Sequence, residues 1–438
     1  MGGSDRPSPM SIVGGPHREC KLHAIAPYQM MNLRRSRHPC LLNNIHLVPS
    51  LDASRHLTRC PPRPNLLQSM PPPRSVICNE ECGAYNRIPK PMPSPTVVRQ
   101  IDPGHPSPEI LAEAAARLLR GELVAFPTET VYGLGANAFD GEAVRRIFEA
   151  KRRPFDDPLI VHIAKVDDVE MVATAFPPVA ARLASLFWPG PLTVLLPRHP
   201  ALPVEVTSGL DTVAVRIPSH PVALGLLGAC GVPIAAPSAN RFGHTSPTSA
   251  AHVLEDLDGA VELILDGGPT PVGIESTVVD VRPTPAVILR PGGVTREQLE
   301  AAIGPVRYAE PGERQAASPG RLPRHYAPRA TLILCPGDTA KVIAASIDEH
   351  VARLIAGGHS AGVLAVSEVR RGLKSSLAPA FDLGGQDDLL GIARRLFLGL
   401  RTLEAVPVDV ILGHFVPAHG LGLAVNDRLR RAAHPAGE

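Results

Sequence analysis

VAFPTETVYGLGANAFDGEAVRRIFEAKRRPFDDPLIVHI, residues 124–163, decides the fold. It opens on an apolar strand pattern, 123–126, that runs into Pro127 and then into Thr128, Glu129 and Thr130. A glycine-rich turn at Gly133 and Gly135 leads to a helix from about 142 to 151, with Asp140 placed to cap its first turn. That helix ends in Lys151, Arg152 and Arg153, where cations complement the helix dipole. An apolar run, 159–163, then reads as a second strand carrying His162. Strand, helix and strand in forty residues predict an α/β unit. Small polar groups facing a cationic helix end suit a polyanion and a small polar molecule bound side by side, which makes a nucleotide-using enzyme the first reading.

The pattern continues outward on both sides. Ser107-Pro108 opens a helix whose apolar face carries Ile110, Leu111, Ala114, Ala115, Leu118 and Leu119. Downstream, helices are expected over 178–187, 221–229, 249–257 and 295–303. Strands are expected at 192–197, 212–217, 233–237, 261–265, 276–281 and 286–290. Adjacent strands without an intervening helix predict a mixed rather than a purely parallel sheet. The boundaries that follow are a domain over 103–304, a proline-broken linker over 305–329 and a smaller α/β domain over 330–438. The last of these shows no catalytic constellation.

Residues 1–102 precede the patterned sequence. Their first 95 residues are rich in Pro and Arg, poor in acids and without periodicity, so a disordered or artefactual extension is expected. A transit peptide is the alternative, although the amphipathic helix it needs is missing. Cys78 and Cys82 form the one close cysteine pair there, and no second pair follows at finger spacing, so zinc is not expected. Cys230 and Cys335 sit in apolar settings and read as buried free thiols. A net charge of +2 excludes a basic nucleic-acid coat, and no apolar run is long enough for a membrane span. A cytoplasmic protein is expected.

Several residues carry chemistry beyond the opening stretch. Pro154 and Asp156-Asp157-Pro158 stiffen the loop after the basic cluster, which can hold Lys151 and Arg153 toward phosphates. As a surface cation, Lys151 is expected to matter far more for turnover than for stability. Arg216 and Arg290 lie within apolar strands, where an unpaired charge costs several kcal/mol on the order of, so each needs a partner or an anionic ligand. Ser238 and Asn240 end a buried strand, and Ser276 and Thr277 begin another. No Walker loop, complete dinucleotide fingerprint, nucleophile elbow or zinc-protease motif is present.

Taken in order, PTETVYGLGANA, KRRPFDDPLIVHI, WPGPLTVLLP, DTVAVRIP, PIAAPSAN, GHTSPTSAAHV, GIESTVVD and LRPGGVT resemble the YrdC-like family. With SPGRLPRHYAP in the linker and GLGLAVNDRLRRAA near the end, the chain is similar to the long, two-domain L-threonylcarbamoyladenylate synthases. The resemblance implies an α/β fold, a YrdC-like twisted mixed-sheet domain followed by a smaller three-layer α/β domain. It implies synthesis of threonylcarbamoyl-AMP and pyrophosphate from L-threonine, bicarbonate or CO2, and ATP, for threonylcarbamoyladenosine formation in tRNA. By motif, Thr130, His162, Arg216, Ala236 and Ser276 would surround L-threonine. Lys151, Arg153, Asp157, Thr212, Ser238, Ser246, Arg290 and Tyr326 would contact ATP, with His325 a weaker candidate and the linker acting as a lid. Mg²⁺ would be held mainly by ATP, with no protein-built metal site. A downstream tRNA threonylcarbamoyl transferase is the implied partner, with contact to tRNA or double-stranded RNA and none to a membrane. Asp157 stands where the family often has Asn, so an acid would sit near a triphosphate. Two rivals belong to other classes: a non-catalytic RNA-binding protein with a basic concave face, and a carbamoyltransferase of hydrogenase maturation, which would need extra modules.

Overall fold

The computed structural model describes residues 95–310, 325–374 and 376–433. The expectations for residues 1–94, zinc at Cys78 and Cys82 included, and the first part of the linker motif lie outside these residues.

Eleven strands among the described residues form one sheet. They are β1 Val97–Gln100, β2 Val124–Phe126, β3 Gly133–Asn137, β4 Ile160–His162, β5 Leu192–Pro197, β6 Thr212–Arg216 and β7 Ile234–Ala235. β8 Leu263–Asp266, β9 Thr277–Asp280, β10 Ala286–Arg290 and β11 Val306–Tyr308 complete it. Their order is β1-β8-β2-β3-β7-β4-β6-β5-β9-β10-β11. Parallel pairs such as β4–β6 occur beside antiparallel ones such as β5–β6, so the sheet is mixed as expected.

Helices cover both faces. On one, Pro108–Leu119 starts with Ser107 accepting the Ile110 N–H and buries Leu111, Ala114, Ala115 and Leu118. It packs on Pro221–Cys230, where a side chain at Gly225 would come within 2.7 Å of Leu111. On the other face, Gly141–Lys151 and Pro178–Phe187 bury Ile147, Phe148 and Leu183 in the largest apolar cluster. Each large apolar side chain so buried contributes about 1.5–3 kcal/mol.

A second sheet, β12 Thr331–Leu334, β13 Ala361–Ala365, β14 Ala380–Asp382 and β15 Val410–Gly413, is wholly parallel in the order β12-β15-β13-β14. Its apolar core extends into the first domain, because Val131, Ile274 and Tyr326 pack in the same cluster as Phe397 and Val425.

Three expectations are corrected. The sheet begins at Val97, inside the span expected as extension, because β1 runs in register beside β8. It also continues into the expected linker, since β11 pairs with β10. The glycine-rich turn is the buried strand β3: Gly135 lies so close to Phe126 and Ile234 that a Cβ would meet them at 2.8 and 2.9 Å. Glycine there serves close strand packing rather than chain reversal.

Candidate active site

β4 and β6 run side by side with His162 opposite Arg216, so their carboxyl ends deliver both side chains to one edge of the sheet. β10 ends at Arg290, and the loop after β2 supplies Thr128 and Thr130. These groups line one cleft together with Arg153, Ala236, Ser238, Glu275, Ser276, His325 and Tyr326. It encloses about 550 Å³ counted out to its open mouth.

The residues expected around L-threonine, Thr130, His162, Arg216, Ala236 and Ser276, all line this cleft. Of those expected at ATP, Arg153, Ser238, Arg290 and Tyr326 do so. Lys151, Asp157, Thr212 and Ser246 are buried but outside the lining. Ser246 reaches the cleft indirectly, donating its hydroxyl to Glu275 Oε1.

The cleft is short of negative charge. Arg290 donates through Nε and Nη2 to the Ser276 carbonyl at 3.2 and 3.0 Å, and through Nη2 to the Ser276 hydroxyl at 3.2 Å. Burial, reinforced by Arg428 and Arg216, lowers the Arg290 pKa from its ordinary value. Burial and then Arg216 push His162 down to about 3, so its imidazole is neutral, and its Nδ1 is buried without a hydrogen bond. His325 is held well below the usual histidine range by burial and by Arg153 and Arg431. Neutral imidazoles beside the buried guanidinium groups add no charge of their own, and Arg290 donates to neutral groups of Ser276.

Lys151 overturns the expectation of a surface cation. It is 1% exposed, and its Nζ donates to the carbonyls of Ser238, at 2.6 Å, and Asn240. Burial and then Arg153 lower its pKa well below the ordinary value. It therefore fixes the backbone that presents Ser238. Asp157 does not stand as a bare acid either: its carboxylate pairs with Arg153 Nη2 at 2.9 Å. Arg153 also donates to the Asp157 and Pro158 carbonyls and lies over the Phe148 and Phe242 rings.

Three buried charged residues beside the cleft were not among the site residues expected from the sequence. Glu129 pairs with Arg216 Nη2 at 2.6 Å, both side chains nearly fully buried. Glu275 lies between Ser246 and Arg428, whose Nε donates to Glu275 Oε2 at 2.8 Å. Arg428 itself comes from Leu421–Ala432, the last described helix, and sits 5.0 Å from the Tyr326 ring centroid. The second domain thus reaches this region, although it carries no catalytic constellation of its own. Glu129 was in view as the acid between two threonines, but nothing local ties it to Arg216, which lies far along the chain. Arg428 could not be singled out, because an arginine on a terminal helix reads as a solvated one.

Tyr326 adopts φ +61°, a left-handed conformation rare for an aromatic residue. Its neighbours hold it there: the His325 ring at 4.0 Å, Phe397 at 5.7 Å, and the Ala327 N–H donating to Gly243 O at 2.9 Å.

Comparison with known proteins follows the same lines. Residues 116–292 match the Sua5/YciO/YrdC family, whose description reads "Telomere recombination". Residues 294–434 match the family described as "Threonylcarbamoyl-AMP synthase, C-terminal domain". The chain is 48% identical over 325 residues to the threonylcarbamoyl-AMP synthase of Pyrococcus abyssi, covering 73% of this chain and 93% of that protein. Against the Bacillus subtilis protein of the same name it is 46% identical over 328 residues, covering 74% and 92%. The crystal structure of P. abyssi Sua5 complexed with L-threonine superposes with a TM-score of 0.72 at 45% identity, over 77% of this chain and 98% of that one.

Proposed function

The chain belongs to the threonylcarbamoyl-AMP synthase family, and we propose that its cleft seats L-threonine beside ATP in the roles assigned below. The enzyme is a nucleotidyltransferase that makes threonylcarbamoyl-AMP and pyrophosphate from L-threonine, bicarbonate or CO2, and ATP. One observation carries the assignment of residues: Arg216 and Arg290, on separate strands, converge with neutral His162 on a single cleft.

Thr130, His162, Arg216, Ala236 and Ser276 form the amino-acid end, with Arg216 facing the carboxylate. Arg153, Ser238, Arg290 and Tyr326 form the nucleotide end. Lys151, Asp157 and Ser246 act from behind it through Ser238, Arg153 and Glu275 respectively. Thr212, at the start of β6, is assigned to the nucleotide on the family motif alone.

No nucleophilic side chain is needed. The threonine amine, once it has given up the ammonium proton to solvent, attacks CO2 and loses a second proton, the resulting carbamate attacks the α-phosphorus of ATP, and pyrophosphate leaves. The protein contributes positioning and charge neutralisation. Asp157 is already engaged by Arg153 and Glu275 by Arg428, and Glu129 stands against the cation of Arg216. They fit poorly as metal ligands, so Mg²⁺ would travel on the triphosphate oxygens. The product is expected to pass to a tRNA threonylcarbamoyl transferase in the cytoplasm, with tRNA contact a further expectation. Among the described residues no helix is long and apolar enough to cross a membrane.

Pyrophosphate release by the full chain, with ATP, Mg²⁺ and bicarbonate and with or without L-threonine, tests this reading. Release that requires both threonine and bicarbonate supports it. Release independent of threonine refutes the amino-acid assignment.

A further inference from the structure

Glu129 stands behind the cleft in an unusual condition. It is 5% exposed, and both carboxylate oxygens are buried without a hydrogen bond. Its neighbours Thr128 and Thr130 line the cleft, and so does its partner Arg216. Glu129 Oε1 lies 2.6 Å from Arg216 Nη2, yet the N–H is not directed along that contact. Both groups therefore keep unfilled hydrogen-bonding capacity in a place where unfilled capacity is costly. Arg216 is steadied elsewhere, through Nε donating to the Gly190 carbonyl at 3.2 Å.

A carboxylate and a guanidinium side by side, each incompletely satisfied, have the charge pattern of an amino-acid zwitterion in reverse. The α-carboxylate complements Arg216, and the α-ammonium complements Glu129. We infer that Glu129 is the second half of the amino-acid seat, the group that receives the α-ammonium and makes the cleft select a zwitterion over a simple carboxylate. This deepens the threonine reading of the cleft and rests on it. A ligand with a carboxylate but no amine meets Arg216 with the negative charge of Glu129 close by and uncompensated, and should bind weakly. Neutral His162, with Nδ1 unfilled, adds no competing charge.

The test is calorimetric and needs no turnover. L-Threonine and (R)-3-hydroxybutyrate, the same skeleton without the amine, are titrated into the full-length wild-type chain, Glu129→Gln and Glu129→Asp. Removing one charge-assisted hydrogen bond should weaken threonine binding about tenfold or more. The expected result is a strong wild-type preference for threonine. In the Gln variant, threonine should weaken while hydroxybutyrate binds as well as before or better. The Asp variant should restore the preference in part. Equal weakening of both ligands in Glu129→Gln would mean a merely structural role and overturn the inference. So would a wild-type chain that binds both alike, an arm that decides even where the Gln variant does not fold. A wild-type chain that binds hydroxybutyrate but no threonine would overturn the threonine reading itself.

Discussion

Arg428 and Glu275 meet across the junction of the two domains, Nε to Oε2 at 2.8 Å, with both side chains nearly fully buried. Glu275 also takes the Ser246 hydroxyl, and Arg428 donates to the Pro291 carbonyl at 2.9 Å and lies over Tyr326. The last helix thereby braces a cleft-lining acid, a serine assigned to the nucleotide and the linker tyrosine. One domain shapes its neighbour's cleft in this way.

Replacing Arg428 by Ala should therefore destabilise the protein on the order of 3–5 kcal/mol, since it leaves Glu275 buried and unpaired. Thermal denaturation of Arg428→Ala, Glu275→Gln and the double variant forms a cycle. A double variant less damaged than the sum of the singles is expected, because removing both charges abolishes the uncompensated one.

Arg216→Lys keeps a charge but loses the forked donor geometry. It should raise KM for threonine much more than KM for ATP, because the proposed nucleotide contacts, Arg290 and Arg153, are left in place. Initial rates of pyrophosphate release at varied threonine and varied ATP check this. A parallel rise in both constants would mean that Arg216 serves the nucleotide as well.

Much of this was legible in the chain. The period of apolar residues marks most strands of the sheet and the helices over it. Two arginines inside apolar strands called for a partner or an anionic ligand, and the structure gives Arg216 a partner in Glu129 while setting both arginines at one cleft. β3 was not legible, because its glycines serve packing against Phe126 and Ile234 while reading as a turn. β1 and β11 were missed because each is a short run at a sheet edge, with only three or four residues of pattern. Lys151 misled for another reason: nothing in KRRP says that carbonyls of a loop some ninety residues away surround its ammonium. Contacts of this range are set by tertiary packing, which local pattern does not encode.

That burial changes what Lys151 does. Lys151→Met should cost about 1–3 kcal/mol, since buried carbonyls of Ser238 and Asn240 lose their donor. Turnover should fall as well, by roughly two orders of magnitude if Ser238 shifts from the nucleotide. Denaturant unfolding beside the pyrophosphate assay checks both. A large activity loss with unchanged stability would return Lys151 to direct contact with phosphate.

His244 gives the junction between the domains a pH dependence. Its Nδ1 lies 3.0 Å from Asp256 Oδ1 and its Nε2 3.2 Å from Glu404 Oε2, one acid from each domain. Arg401 also grips Asp256, at 2.7 Å, and His252 is nearby but held neutral, its pKa lowered to about 4 by burial and then by Arg401. Burial opposes a charge on His244, but the two carboxylates outweigh it and raise its pKa above 6.5. A raised histidine pKa means stability fully present below the unfolded value, near 6.5, and lost as pH climbs through the folded one. Glu404 has the opposite sign: its pKa is lowered from 4.5, so its contribution fades as pH falls below that value. The junction should therefore be firmest between about pH 4.5 and 6.5. Melting temperature measured from pH 5 to 9 should decline on the alkaline side in the wild type, and more shallowly in His244→Gln. Identical slopes would show that His244 does not carry the pH dependence.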